Sequence, residues 1–406
     1  MNINSKFWVR IALINLCIVA TLGTIMRFKI GFEFPFLNQK YLQEAHSHFA
    51  FAGWITHSLY FLMVILFRNN LNSINEKRYE KIIFLNLFCS YGMLISFFFQ
   101  GYRPISIFFS SLSIFTGYVF SWFALKDAGR LPSEHPGKNW IKAAILFGVL
   151  STIGTFILSD MMATHHFNQR TYLGSVFFYL HFQYNGWFLF ACMALFMDRI
   201  KHFILNPKHV RNMFWLFFLS GIPAYFLSTL WANLPVWLYS FVVLAAILQV
   251  IGWWFVVRLI VSNFEKLKVL FPKPALLLFL AVASALTLKL FLQLSSTIPA
   301  ISQLAFGFRP IVIAYLHLVL LLIISLFLLT FMYGTGLLNQ TRKSTVPLFV
   351  FATGIILNEI ILSIQGIAGL SYSVIPYVNE ILFVIALILW IGAFLLFLAQ
   401  FRTSEH

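Results

Sequence analysis

The sequence predicts an all-α integral membrane protein, built as a single polytopic membrane domain over residues 1–406. Of its 406 residues, 60% are hydrophobic and only 10% are charged, and the mean hydropathy is +0.86, which is outside the range of soluble domains. The apolar residues form stretches of about 20 residues, the length that a helix needs to cross hydrocarbon. The basic residues are concentrated in every second loop, which is a pattern typical of membrane topology.

Twelve apolar stretches follow one another, and we expect each to form a transmembrane helix. No small-residue cleavage site follows the first stretch, so we expect a retained span there and not a signal peptide. The expected limits are 9–27, 46–67, 82–101, 105–125, 141–159, 172–197, 212–230, 236–258, 274–294, 310–332, 346–366 and 377–400.

Lysine and arginine residues lie before the first stretch and after every even-numbered one. The positive-inside rule therefore predicts that the N- and C-termini are both cytoplasmic. The net charge of +16 is explained by this topology, so we expect no nucleic-acid partner. The expected location is the lipid bilayer of a bacterial inner (cytoplasmic) membrane, which the protein crosses many times. The three cysteines have no metal-binding spacing.

Several histidines fall at one predicted depth, near the outer side of the membrane. An imidazole in hydrocarbon is costly unless it has a partner, and imidazole is the usual protein ligand of haem iron and copper. These residues open the second stretch, lie in the loop before the sixth, and occur within the sixth and tenth. They are His46, His48, His165, His166, His181 and His317.

His46 and His317 are the strongest candidates among these residues for a pair of haem ligands. Two imidazoles from different helices can hold a haem iron from both faces. The alternative is that each ring bonds a helix carbonyl or a hydroxyl group. Because two residues turn a helix by about 200°, His46 and His48 are expected to serve separate sites, and either one fits the haem.

These residues and the twelve stretches resemble the large subunit (subunit I) of haem–copper oxidases and nitric oxide reductases. The dipeptide Ala45-His46 resembles the second-span ligand of the low-spin haem in that family, and His317 resembles the tenth-span ligand of the same haem. Tyr315 stands where the family has its high-spin haem ligand. His181, five residues before Gly186, resembles the sixth-span copper ligand of the reductases.

The resemblance implies an electron-transfer protein with a low-spin haem b on His46 and His317. It implies nitric oxide or oxygen as candidate substrates, a quinol or small carrier as electron donor, and an accessory subunit. His48, His181, His165 and His166 are candidate ligands of copper or non-haem iron. Candidate catalytic groups are Tyr315, Tyr184 and Glu359, and candidate haem-propionate partners are Arg309, Arg103 and Arg170.

The sequence also departs from that family. Residues 212–230 contain no histidine, whereas the family supplies two copper ligands as His-His in its seventh span. The resemblance is therefore to a divergent member. The alternative is a multi-span transporter or metal permease that uses the same outer-side histidines. Carriers usually show paired helix breaks, and Gly221-Ile222-Pro223 interrupts the seventh stretch without a visible counterpart.

Overall fold

The computed structural model describes residues 4–203, 207–302, 309–371 and 373–401. In this part of the chain the regular secondary structure is helical throughout. Eleven of the described helices are long and apolar enough to cross a membrane. The chain is therefore a multi-pass membrane protein, and each of the twelve predicted stretches falls on a helix.

The helices are labelled α1 to α13 in chain order. They are α1 (Ser5–Gly31), α2 (Gln39–Asn70), α3 (Glu76–Gln100), α4 (Pro104–Arg130), α5 (Lys138–Thr164), α6 (169–200), α7 (Pro207–Gly221, continued as a 3₁₀-helix over Pro223–Ala232), α8 (Val236–Ser262), α9 (Phe264–Leu270), α10 (Lys273–Ser295), α11 (309–334), α12 (Arg342–Leu370) and α13 (Val378–Leu398). The helix α6 is not among the eleven, because His181, Gln183 and Asn185 interrupt its apolar run.

Four of these helices begin at an asparagine. The side-chain oxygens of Asn4, Asn38, Asn75 and Asn168 accept hydrogen bonds from backbone N–H groups in the first turns of α1, α2, α3 and α6. An asparagine at this position satisfies donors that have no partner inside the helix. The loop sequences therefore set where these helices start.

The chain divides into two compact units. Unit 1 comprises Met1–Trp122, Leu277–Phe279 and Ser325–His406, and unit 2 comprises Phe123–Leu276 and Leu280–Ile324. Within unit 1, α13 packs against α1 and α12, while α2 packs against α1 and α3. Within unit 2, α5 packs against α6, and α7 packs against α8.

Three helices change from α to π geometry partway along. In a π segment the backbone hydrogen bonds join residues i and i+5 instead of i and i+4, and such segments are frequent at functional sites. Each described π segment follows an intramembrane histidine: it begins two residues after His48, directly after His181, or directly after His317. The segments are Ala50–Thr56 in α2, Phe182–Phe188 in α6 and Leu318–Ser325 in α11.

Candidate functional site

Two of the three π segments share a sequence pattern. Residues 48–54 read His-Phe-Ala-Phe-Ala-Gly-Trp, and residues 181–187 read His-Phe-Gln-Tyr-Asn-Gly-Trp. The first copy lies in unit 1 and the second in unit 2. The spacing of histidine, phenylalanine, glycine and tryptophan is the same, so we call this the HF-GW motif and describe each copy in its own unit.

In the first copy, side chains of neighbouring helices bind the carbonyls of the π segment. The amide nitrogen of Asn15 donates to the carbonyl oxygen of Gly53, and that of Asn86 donates to Ala52 at 3.1 Å. The hydroxyl of Tyr91 donates to Asn15 Oδ1 at 2.8 Å. Each buried polar group thereby gains a partner, which offsets its cost of leaving water.

His46 lies half-buried two residues before this motif. Its imidazole packs against α1 at Gly23, where an added Cβ would lie only 3.3 Å from His46 Cε1. A larger residue at position 23 would therefore press on the ring. The glycine gives the imidazole its space beside the helix.

His48 has different surroundings from His46. Its ring stacks on Phe97, with the ring centroids 4.2 Å apart and the planes 7° apart. Its Nε2 lies 2.8 Å from the hydroxyl of Tyr102. The stacking and the hydrogen bond fix the orientation of the ring within unit 1.

Glu359 is buried in α12 of unit 1. Its Oε1 accepts a hydrogen bond from the amide of Asn358 at 3.1 Å. The guanidinium of Arg27 on α1 interacts with the carboxyl electrostatically. Arg27 is one turn from Gly23 on α1, so this carboxyl and guanidinium lie in the same region of unit 1 as His46.

In the second copy, both ring nitrogens of His181 have hydrogen-bond partners. The Nε2 lies 2.9 Å from the carbonyl oxygen of Gly221, and Nδ1 lies 3.2 Å from the amide nitrogen of Asn185. Since a carbonyl can only accept, Nε2 carries the proton and Nδ1 accepts. These bonds favour a structural role for His181. Metal ligation by His181 stays a prediction.

A break in α7 explains why the carbonyl of Gly221 can bond His181. Proline has no N–H and cannot continue the α-helical bonding pattern, and Pro223 starts a 3₁₀-helix directly after the end of α7 at Gly221. In a continuous α-helix the carbonyl of Gly221 would accept from Tyr225 N–H, but that N–H bonds Ile222 at 3.1 Å in the 3₁₀-helix. The carbonyl of Gly221 accepts the imidazole N–H of His181 instead. The sequence Gly-Ile-Pro and the histidine are therefore parts of one arrangement.

The glycine of the second copy allows a close helix contact. A Cβ added at Gly186 would lie 2.5 Å from Cβ of Phe147 on α5, which is too near for any side chain. In the first copy, a Cβ added at Gly53 would lie 2.7 Å from the ring of Phe49. Both motif glycines are thus required by packing.

His317 also lies in unit 2, on α11. Its Nδ1 lies 2.8 Å from the carbonyl oxygen of Ile313, so Nδ1 carries the proton and, in the neutral ring, the lone pair is on Nε2. Two residues earlier, the ring of Tyr315 meets that of Tyr184 edge to face, with the centroids 6.3 Å apart. The hydroxyl of Tyr315 also interacts with Asn185.

The remaining predicted residues lie on exposed segments. His165 ends α5 in a left-handed conformation with φ 54°, and His166 bonds the carbonyl of Thr164 at 2.8 Å. Arg103 and Arg170 are exposed. Arg309 begins α11, and its side chain lies outside the described residues. In the described chain, no group of three or more His, Cys, Asp or Glu residues is suited to hold a metal ion.

Unit 2 also contains a small, mostly apolar cavity beside the second HF-GW motif. Its volume is about 10 Å³, which is room for about one water molecule. Its lining includes His181, Asn185, Gln249 and Lys289 with an apolar wall that includes Phe147. We call it the Lys289 cavity. Lys289 is 2% exposed and Gln249 is 6% exposed.

Sequence reasoning did not include Gln249, Asn15 or Asn86 among the candidate residues. Each is a lone amide inside an apolar run, and such a residue inside a membrane span usually has a specific partner. That signal was available in the sequence, as was the repeated HF-GW motif. The partners themselves come from other helices and could not be read from the chain.

No family model matches this chain, and no curated protein is significantly similar to it.

Proposed function

We propose that this protein is a membrane haem protein that carries a low-spin haem b on His46 and His317 and takes part in electron transfer. It resembles the large subunit of haem–copper oxidases and nitric oxide reductases, so nitric oxide and oxygen are the substrates to test. A quinol or small carrier is the proposed donor, an accessory subunit is a proposed partner, and a bacterial inner membrane with twelve spans and cytoplasmic termini is the proposed setting.

The observation that carries the proposal is the hydrogen bond from His317 Nδ1 to the carbonyl of Ile313. Metal-binding histidines almost always donate their other ring N–H in this way, which fixes the tautomer and makes the ligating nitrogen more basic. His317 is therefore held in the tautomer that an axial haem ligand needs. The π segment that follows it directly is also typical of functional sites.

His46 supports the proposal from within unit 1. Its ring is placed against Gly23. The nearby Arg27 provides a cation of the kind that haem propionates need. A haem held by His46 and His317 would supply electron transfer at this place.

The other predicted ligands fit a second metal less well. His48 bonds Tyr102, and His181 uses both ring nitrogens. His165 and His166 are exposed. Copper or non-haem iron at these positions stays a prediction, and the proposal uses no step through such a metal.

The test is a dithionite-reduced minus oxidised optical spectrum of the purified protein from haem-replete cells. We expect sharp b-type bands in the wild type and their loss in both His46→Ala and His317→Ala. Addition of carbon monoxide then tests for a separate gas-binding haem. The matched control is His209→Ala, which removes an exposed histidine and should leave the bands unchanged.

Two results would overturn the proposal. One is the absence of haem absorbance in a folded wild-type protein. The other is a spectrum that survives both substitutions, since His46 and His317 would then not be ligands. If a histidine variant is not recovered in folded form, the Met and Gln variants at the same position replace it, because changed band positions also report on the ligand.

The second candidate function is a transporter or metal permease. It is favoured by the break of α7 at Gly221 and Pro223, because interrupted membrane helices form the substrate sites of many carriers. The break lies beside the Lys289 cavity. A lysine is unfavourable for a metal cation at that place, so any metal would have to bind elsewhere. Metal uptake into proteoliposomes tests this candidate.

A further inference from the structure

The π segment of α2 is bonded to three other helices at three consecutive residues. The carbonyls of Ala52 and Gly53 accept hydrogen bonds from asparagines on α3 and α1. The indole N–H of the next residue, Trp54, donates to the hydroxyl oxygen of Ser325 on α11 at 2.9 Å. Both partners of this third bond belong to unit 1. It joins α2, which carries His46, to α11.

The bond between Trp54 and Ser325 lies in the interior of unit 1. The two residues are 1% and 3% exposed. An indole N–H can only donate, and without an acceptor it would be costly in this buried position. The neighbours of Ser325 are Ile324 and Leu326, whose side chains offer no acceptor. A shift of α11 along α2 by one residue would therefore break the bond, so the bond fixes the register of the two helices.

This register relates the two proposed haem ligands. His46 lies eight residues before Trp54 on α2, and His317 lies eight residues before Ser325 on α11. Eight residues rise about 12 Å along an α-helix, and both stretches contain π geometry. In the proposed topology both helices run from the outer to the inner side of the membrane. Equal separations from one hydrogen bond then put the two histidines at the same depth.

The register also distinguishes His46 from His48. An iron that is held from both faces needs its two imidazoles at one depth. His48 lies six residues before Trp54, which is about 3 Å nearer to the bond along the helix. Its Nε2 already bonds the hydroxyl of Tyr102 at 2.8 Å. The sequence left both histidines open as haem ligands, and the position of the bond favours His46.

We propose that Trp54 and Ser325 are positioning residues of the haem site, whose hydrogen bond sets the depth of His46 relative to His317. The inference rests on the proposed function, because it requires a haem on these two histidines. Trp54 and Ser325 act through the register of α2 and α11, and we assign them no contact with the haem. Without the bond, α11 can shift along α2, and one imidazole then reaches the iron less well.

The experiment uses the purified full-length, haem-loaded protein and the variants Trp54→Phe, Ser325→Ala and the double variant. Electron paramagnetic resonance of the oxidised haem reports the geometry of its axial ligands. Carbon monoxide binding to the reduced haem reports the loss of one ligand. We expect a shifted largest g value and more carbon monoxide binding than in the wild type. The double variant should change no more than either single variant, since all three remove the same bond.

Two variants serve as controls. Trp390→Phe removes an indole N–H that donates to the hydroxyl of Thr21 at 2.9 Å, also within unit 1. It should keep the g value and the carbon monoxide binding of the wild type. Ser325→Thr keeps a hydroxyl at position 325 and should resemble the wild type more than Ser325→Ala does.

Two results would overturn the inference: a wild-type spectrum in folded, haem-loaded Trp54→Phe and Ser325→Ala, or an equal change in Trp390→Phe. In either case the proposed function still stands if His46→Ala and His317→Ala lose the haem. Absence of haem from the folded wild type would overturn both proposals together. If Trp54→Phe is not recovered in folded form, Ser325→Ala decides, because it removes the acceptor of the same bond.

Discussion

The two copies of the HF-GW motif have the same spacing but use their histidines differently. In unit 1 the fifth residue of the motif is Ala52, and His48 stacks on Phe97 and bonds Tyr102. In unit 2 the fifth residue is Asn185, which bonds His181, and Gly221 takes the other ring nitrogen. The copies differ at their third, fourth and fifth residues, and it is the fifth, Asn185, that bonds the imidazole within its own helix.

The two copies also differ in the hydrogen bonds between side chains and backbone carbonyls. In the first copy, amides from α1 and α3 bond the carbonyls of Gly53 and Ala52. In the second, the histidine itself bonds a carbonyl of the broken α7. The π geometry is the same in both copies, but the groups that bond the neighbouring helix differ. In unit 2 the motif histidine makes this bond, and in unit 1 two asparagines of other helices make it.

The largest expected effect comes from adding a side chain at Gly186, the glycine of the second motif copy. Gly186→Val places methyl groups where a Cβ alone would lie 2.5 Å from Phe147, and overpacking costs about 1–3 kcal/mol or more. We expect loss of monodisperse protein in size-exclusion chromatography. Gly129→Val is the control, since nothing lies within 4 Å of a Cβ at that position. A normal yield of Gly186→Val would contradict this contact.

The next effect separates the two motif histidines. His181→Ala leaves the carbonyl of Gly221 and the amide of Asn185 without their partner, and an unsatisfied buried group costs about 1–3 kcal/mol. We expect a lower midpoint of thermal unfolding. His48→Phe keeps the stacking on Phe97 and should lower the midpoint less. An equal or larger loss in His48→Phe would show that the two copies do not differ as described.

The smallest effect concerns the amides of the first copy. Asn86→Leu removes one hydrogen bond to Ala52, which contributes about 0.5–1.5 kcal/mol. Asn15→Leu should cost more, because it leaves both the carbonyl of Gly53 and the hydroxyl of Tyr91 without a partner. Thermal unfolding of both variants in the same detergent measures the order. The reverse order would mean that the Asn15 bonds do not stabilise the π segment.

Much of the fold could be predicted from the sequence because hydropathy depends on local composition. The apolar runs that predicted α1 and α8 overlap the observed helices, which extend a few residues further at one or both ends. The membrane extends only over the hydrocarbon part of each helix, whereas helical hydrogen bonds continue into the polar flanks. The asparagine caps at Asn38 and Asn168 could have refined these limits.

The candidate site could be predicted only in part. Lone polar residues such as His181 and Lys289 stand out in apolar runs, since each needs a partner in hydrocarbon. The identity of the partner was not predictable: the carbonyl of Gly221 is 40 residues from His181 in sequence. The two uses of the HF-GW motif differ through such distant contacts.

The sequence by itself determined that this chain is helical and crosses a membrane many times, because each apolar run must satisfy its own backbone hydrogen bonds in lipid. It also determined which few residues are costly there. Only the tertiary structure decided that the ring nitrogens of His181 are occupied by Gly221 and Asn185, and that Lys289 shares a cavity with Gln249. The physical reason is that burial and hydrogen bonding depend on which helices pack together, and chain order does not specify this.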